Sequence, residues 1–332
     1  MTRVKVELSD EEMIAVLREE FIEGAVAPAD VFIKLSDNNY LLVSREGEKA
    51  NFSQLHLAEK KELAYLYIRK TEFKKCVGQK ITFADIVIAK AEIDERTKTQ
   101  FLATATDTVF REIEALGLSQ EAVEHARSVA LHLKRFVESK PHLLNVVATM
   151  AEVPGDLLRH SMAVSSVSVM LGKGMGWSIT STIEKLALGG LLHDIGMKEL
   201  PPELLKKPRH ELTQEEQTLY ETHAFRGAEI LGSLPNIPDD LVSIALEHHE
   251  NAIGQGYPRR IRDFKISPLA RVVAVANSFC ELTLPHESNP NTKSAEEAVE
   301  FIENTLGQPF SRPVFSVLKK LLADMPQKMT KS

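Results

Sequence analysis

The chain of 332 residues holds only two cysteines, Cys76 and Cys280, and one tryptophan. Two cysteines build neither a disulfide framework nor a thiolate metal cluster, which fits a reducing compartment. No segment is long and apolar enough to span a bilayer, and Met1 to Glu7 lacks the apolar stretch of a secretory signal. The expected setting is the cytoplasm. A basic excess is also missing: 40 Lys and Arg face 47 Asp and Glu, a formal charge of −7. That balance gives no electrostatic invitation to DNA, RNA or an anionic membrane, so an anionic ligand must be held by a local site. Internal repeats and low-complexity tracts are absent too. What is there is a chain of 43% hydrophobic residues, enough for about two domains and a sizeable core.

Residues 1–115 read as a smaller mixed α/β domain, sensory or partner-binding in role or simply a packing domain. Ser9-Asp10-Glu11-Glu12 has the form of a helix start, with Met13, Ile14, Val16, Leu17 and Phe21 as its apolar stripe. Val31 to Lys34 and Tyr40 to Val43 read as strands about the turn Ser36-Asp37-Asn38-Asn39, and Tyr65 to Ile68 as a third. This region carries no metal-ligand cluster, glycine-rich phosphate loop or nucleophile motif. From about Ile81 the pattern turns helical, and residues 116–332 read as a helical domain with its core at about 150–310. Ser119 opens an amphipathic helix through Val123, Ala126, Val129, Ala130, Leu133 and Val137, ending near Pro141. Its stripe could pair with a second copy in a homodimer; packing on its own domain is the simpler expectation.

The second region places candidate ligands on successive helices. A helix from Pro154-Gly155-Asp156 carries His160. One from about Thr180 runs through an apolar stretch into His193-Asp194. The capping-box pattern Thr213 to Glu216 starts a helix carrying His223, and Asp239-Asp240 starts another carrying His248 and His249. Leu269 to Leu282 is helical and contains Asn277, followed by a polar break from Pro285 to Asn291 and two C-terminal helices. His56, His125, His132, His142 and His210 read as ordinary histidines. His160, His193, Asp194, His223, His248 and His249 together do not, because so many buried imidazoles without a partner would be costly. Imidazole plus carboxylate without thiolate suits iron, manganese or zinc, and Asp194 is the natural bridge between two cations. Adjacent residues on a helix point about 100° apart. His248 and His249 therefore share a pocket only if it meets their helix obliquely or the helix loosens before Gly254.

These motifs carry a family resemblance. His193-Asp194-Ile195-Gly196, Pro201, Leu212-Thr213-x-Glu215-Glu216, His223-x-x-x-Gly227, His248-His249-Glu250 and Gly256-Tyr257-Pro258 occur in the order and spacing of the HD-GYP family. This branch of the HD phosphohydrolase superfamily is known as cyclic-di-GMP phosphodiesterases. The resemblance implies a mainly α protein whose C-terminal HD-type helical bundle binds two divalent metals, iron or manganese. One would take His160, His193, Asp194 and Asn277; the other Asp194, His223, His248 and His249. A third ion would use Asp156, which reads equally well as an acidic residue of a helix's first turn. The implied reaction is hydrolysis of cyclic di-GMP to pGpG, and on to GMP, by a hydroxide shared by the two cations, with His193 and Asp194 at the catalytic centre. Lys198, Gly256, Tyr257 and Pro258 would line the substrate pocket, Gly256 supplying backbone freedom and Pro258 stiffness.

The sequence departs from the family pattern mainly at substrate contacts. Asn277 stands where the family has a metal-binding aspartate. Met197 replaces a phosphate-contacting lysine, with Lys198 one place on. Ile253 and Cys280 replace aspartates, and His286 replaces a substrate-binding arginine. The leading expectation is a slow cyclic-di-GMP phosphodiesterase. The alternative is an impaired, metal-loaded module that binds a nucleotide or a diguanylate cyclase-type partner protein.

Overall fold

A computed structural model of the chain describes residues 4–18, 21, 24–49, 64–140, 142–286 and 291–323. His56, Pro141 and residues 287–290 of the expected polar break lie outside them. The chain divides into two compact units, residues 1–86 with 107–125, and residues 87–106 with 126–332. The boundary expected near residue 115 falls inside the stretch 107–125 that clusters with the first unit.

The first unit contains a five-stranded antiparallel sheet of β1 (Val4–Glu7), β2 (Met13–Leu17), β3 (Val31–Ser36), β4 (Asn39–Ser44) and β5 (Tyr65–Arg69), in the order β1-β4-β3-β5-β2. The three strands expected from sequence are β3, β4 and β5. Asn38 makes the β3–β4 turn at φ 58°, a conformation asparagine tolerates. The helix expected from Ser9 does not form. The Ser9 hydroxyl does accept a bond from the Glu11 amide, but it caps a single 3₁₀ turn, Asp10–Glu12. Met13–Leu17 then pairs with β5 from Met13↔Arg69 to Leu17↔Tyr65. Met13 and Val16 are its buried residues; their spacing fits one helix face equally well, and the ladder offered by β5 decides between the two. The Asp10 carboxylate accepts bonds from the Tyr40 hydroxyl at 2.6 Å, the Asn38 amide at 3.1 Å and the Lys34 ammonium at 2.5 Å. It thereby ties the 3₁₀ turn to β3 and β4. Lys34 foremost, then Tyr40, lowers its pKa to about 2.

The helices are α1 (Phe73–Ala89), α2 (Glu95–Leu116), α3 (Gln120–Glu138), α4 (Leu143–Ala151), α5 (Asp156–Gly174), α6 (Thr180–Leu192), α7 (Pro202–Leu205), α8 (Gln214–Gly232), α9 (Asp239–Glu247), α10 (Pro268–Thr283), α11 (Ala295–Glu300) and α12 (Arg312–Ala323). Helical structure thus begins at Phe73, ahead of the expected Ile81. The α3 stripe from Val123 to Val137 is buried by the chain itself and is not an open face for a second copy. No helix among the described residues is long and apolar enough to cross a membrane.

Within the second unit α5 is central. It is buried on every side from Ser161 to Gly172, and α4, α6, α10 and α12 pack on it. Two of its buried serines find carbonyl partners: Ser165 donates to Ala187 and Ser166 to Met162, both at 2.7 Å. At the α5–α6 crossing the backbones nearly touch, since a Cβ on Gly190 would lie 2.8 Å from Ser165 Cα. Gly190 therefore sets how closely the end of α6, which carries His193, approaches α5, which carries His160. Gly190→Ala is expected to destabilise the protein by about 1–3 kcal/mol, the usual cost of overpacking, read as a lower denaturant midpoint at unchanged m-value.

Candidate metal centre

Five elements deliver the centre. His160 sits on the second turn of α5, His193 and Asp194 follow the last residue of α6, His223 lies mid-way along α8, His248 and His249 follow α9, and Asn277 lies on α10. Three of the histidines are oriented in the same way. His193 Nδ1 faces the carbonyl of Gly190 at 2.8 Å, His223 Nδ1 that of Tyr220 at 2.7 Å, and His248 Nδ1 that of Ala245 at 2.9 Å. In each case the ring folds back on a carbonyl three residues earlier. A carbonyl can only accept, so these contacts assign the proton to Nδ1 and leave the Nε2 lone pair pointing outward.

Those lone pairs converge. Nε2 of His193 lies 3.2 Å from Asp194 Oδ2 and 3.3 Å from His160 Nε2, and His160 Nε2 is 3.7 Å from the same oxygen. On the other side, Nε2 of His223 and of His248 lie 3.4 and 3.3 Å from Asp194 Oδ1 and 3.2 Å from each other. The ligand atoms of His160, His193 and Asp194 lie within 4.8 Å of one another, as do those of Asp194, His223, His248 and His249. Acceptors packed against acceptors repel unless a cation lies between them. Asp194 Oδ1 and Asn277 Oδ1 are buried with no hydrogen-bond partner among the described residues, which leaves both oxygens open to an ion. The donor set fits a divalent cation, and the two clusters can each bind metal.

Burial sets the protonation states. The side chains of His193, His223 and His248 are 0% exposed, against 10% for Asp194 and 20% for His160. Desolvation lowers the pKa of His160 to about 4 and that of His223 to about 3, and pushes His248 and His249 down as well. These rings are neutral, as metal ligands must be. Burial alone would raise the Asp194 pKa, but the charge and hydrogen bond of His193, helped by His248 and His223, hold it well below the ordinary range.

The question of how His248 and His249 share one pocket resolves in favour of helix loosening: α9 stops at Glu247, and His248 is its C-cap. His249 stacks on Tyr257, with ring centroids 4.4 Å apart and planes at 23°. The Gly256-Tyr257-Pro258 segment lies against the histidine pair, with the Tyr257 amide donating to the His249 carbonyl at 3.2 Å. Gly256 is required by contact, not by backbone freedom: a Cβ there would lie 2.2 Å from the His249 carbonyl oxygen, whereas the left-handed φ of +78° belongs to Gly254. Gly196 has a similar role where the turn after His193-Asp194 crosses α8, since a Cβ there would lie 2.1 Å from the His223 carbonyl oxygen.

Other expected site residues fall elsewhere. Ile195–Glu199 is a 3₁₀ turn rather than α-helix; Lys198 on it is exposed, and Met197 is buried in an apolar cluster with Leu200 and Leu204. Asp156 opens α5 and accepts from the Arg159 guanidinium at 3.0 Å. Cys280 is fully buried, and desolvation pushes its thiol far up. Ile253 is exposed.

Sequence reasoning passed over the supporting shell. Glu250 is buried and accepts from the amides of Arg259 at 2.6 Å and Ile261 at 3.0 Å, while Glu247 accepts from the Ser267 amide at 2.6 Å and from the Arg259 guanidinium. Two carboxylates thus staple the loop after His249. Glu281, one turn beyond Asn277, accepts from its amide at 3.5 Å, and Arg209 pairs with Glu281. A carboxylate next to a ligand motif is a weak signal in sequence, because most such residues are solvated.

The family described as HD domain matches residues 129–311, more than half of the chain. Among curated proteins, a cyclic di-GMP phosphodiesterase from Thermotoga maritima is 35% identical over 165 residues, 49% of this chain and 44% of that protein. Cyclic di-GMP phosphodiesterase PA4108 from Pseudomonas aeruginosa is 28% identical over 204 residues, 61% of this chain and 48% of its own. The chain spans about half the length of these relatives. The solved structure of Bd1817, a HDG"Y"P protein from Bdellovibrio bacteriovorus, superposes with a TM-score of 0.65 at 19% identity over 94% of this chain and 99% of that one, a likeness of fold. With the fold, the matched segment and the ordered motifs in agreement, the chain belongs to the HD domain family, in its HD-GYP branch.

Proposed function

We propose that this chain is a metal-dependent phosphodiesterase that hydrolyses cyclic di-GMP to pGpG, with GMP as a further product. The observation that carries this reading is the buried convergence of imidazole Nε2 atoms on both oxygens of Asp194. His160, His193, Asp194 and Asn277 would hold one divalent transition metal, and Asp194, His223, His248 and His249 a second; iron or manganese suits that donor set. When bound, such cations polarise phosphoryl oxygens and lower the pKa of water. The chain's own contribution is to fix the ligands through carbonyl-bonded rings and to keep His193, His223 and His248 dry. Approach is left to the side of His160, Asp194 and His249, which are only partly covered. The names of the Thermotoga and Pseudomonas relatives support the substrate assignment. A third ion at Asp156 would have to compete with Arg159 for the carboxylate.

The neutral oxygen of Asn277 and the apolar Met197 favour slow turnover. Carried further, the same losses describe a metal-loaded module that binds a nucleotide or a diguanylate cyclase-type protein without hydrolysis. A product assay on anaerobically purified, metal-loaded protein separates the two. Production of pGpG, lost on chelation together with close to two ions per chain by elemental analysis, is the expected result. Binding of cyclic di-GMP without any product would select the module instead.

The depressed histidine pKa values give the metal-free protein a defined pH dependence. Between about 4 and the ordinary histidine pKa of 6.5, the unfolded chain binds protons that folded His160 does not. His223, His248 and His249 act in the same direction and outnumber His193, whose raised pKa acts in the opposite one, so stability rises with pH across that window. Thermal melts of chelated protein should therefore shift downward as pH falls from 6.5 to 4. A flat profile would place these rings in solvent.

Asn277→Asp adds a charged oxygen at nearly constant size and is expected to tighten the first metal in a chelator competition. The gain is limited because the new carboxylate would face Glu281, now a hydrogen-bond acceptor for the Asn277 amide. No change in competition would show that residue 277 is not a ligand.

A further inference from the structure

The lysine that the family pattern places at position 197, against the substrate phosphate, is absent here: Met197 is buried in an apolar cluster and Lys198 is exposed. Arg209 does lie beside the centre. It lies in the short turn Arg209–Glu211 ahead of α8. Its guanidinium covers the Tyr220 ring at 4.6 Å, and Tyr220 in turn meets His223 edge-on, with centroids 5.2 Å apart. Its charge is felt at His223, His249 and Tyr257. We propose that Arg209, together with the Tyr257 hydroxyl, forms a phosphate-binding subsite beside His223 and His249, in place of the lysine absent at position 197. This rests on reading the centre as a phosphodiester-hydrolysing one.

Two features distinguish this role from a purely structural arginine. The guanidinium is only partly engaged: one nitrogen, Nη2, bonds to the Tyr220 hydroxyl at 2.9 Å and pairs with Glu281 at 3.5 Å. The Nε and Nη1 groups have no partner among the described residues, so a fork of donors is left for a planar pair of phosphate oxygens. The side chain is also 44% exposed, which lets an anion reach it. The second feature is the Tyr257 hydroxyl, buried and without a hydrogen-bond partner among the described residues, on the ring that stacks on His249. A buried donor without an acceptor is costly unless an acceptor arrives with the ligand. Glu281 holds the guanidinium ready, and its long monodentate contact is one that a phosphate can outcompete.

The test is calorimetric titration of inorganic phosphate into metal-loaded parent and Arg209→Met proteins, matched for metal content by elemental analysis. Phosphate is not hydrolysed, so the result is independent of whether cyclic di-GMP is a substrate; the product assay judges that separately. The expected result is measurable binding by the parent and a loss of roughly ten- to hundredfold in Arg209→Met, the scale of one charge-assisted bond. Equal affinity in both proteins, or no binding by a fully loaded parent, overturns the proposal. Glu281→Gln provides a second variant that keeps the arginine. Released from its carboxylate, Arg209 should bind phosphate severalfold more tightly at equal metal content, and unchanged or weaker binding would also overturn it.

Discussion

The constraint on which this structure turns is the crowding of lone pairs around one carboxylate. Asp194 has imidazole nitrogens within 3.2–3.7 Å of its two oxygens, His193 and His160 on one and His223 and His248 on the other. With Nδ1 protonated on three of those rings, neutral imidazoles offer the carboxylate no N–H, and in the metal-free protein only His193, whose pKa, despite desolvation, Asp194 raises, readily takes up a proton to donate to it. Protonating the other rings is opposed by burial, which lowers His160 to about 4 and His223 to about 3 and pushes His248 down as well. A bound divalent cation is the one partner that satisfies nitrogen and oxygen lone pairs together at neutral pH, and the free energy of binding it adds to the stability of the fold that holds them.

Much of the surrounding architecture serves that convergence. The histidines come from different helices, so the helix-to-helix distances set the ligand separations. The close crossings fall at Gly190 against Ser165 and at Gly196 against His223, where a single methyl would force the backbones apart. The carbonyls that fix the rings belong to the same turns as the histidines themselves. Ring orientation is thus determined locally and ring position by packing, which lets a rigid core build a site with little help from loops. The exception is the segment after His249, which is held by Glu247 and Glu250 instead.

The centre was largely legible in sequence because its chemistry is carried by residue types that are rare in a helical core. His160, His193, Asp194, His223, His248 and His249 stand out against apolar helices, and the capping box at Thr213 appears as written. The strands β3 to β5 were legible for similar reasons, through β-branched and aromatic runs bounded by turns. What escaped was whatever depends on a neighbour. Met13 to Leu17 fits helix or strand until β5 is seen beside it. Gly256 reads as flexible until the His249 carbonyl is found against it. Arg209 and Glu281 belong to no motif, and only the fold brings the turn ahead of α8 against α10 so that they pair.

That last pair bears on the departures from the family pattern, which are less independent than they look along the chain. Asn277 removes a negative charge beside one cluster, and Glu281 restores one a turn later, bonded to the Asn277 amide and coupled electrostatically to His160 and His193. Met197 removes a positive charge, but its side chain completes an apolar cluster with Leu200 and Leu204 that Leu212, Leu219 and Tyr220 cover. Tyr220 is the ring on which Arg209 rests. The methionine therefore helps to build the platform for the cation that stands in for the missing lysine, and Glu281 links that cation to the altered ligand. One lost charge at each end of the pocket is answered by one member of a single ion pair. On this view the substitutions rewire the electrostatics of the centre around Arg209 and Glu281, and the cost of changing either residue should depend on the other, as it does for charges that share a partner.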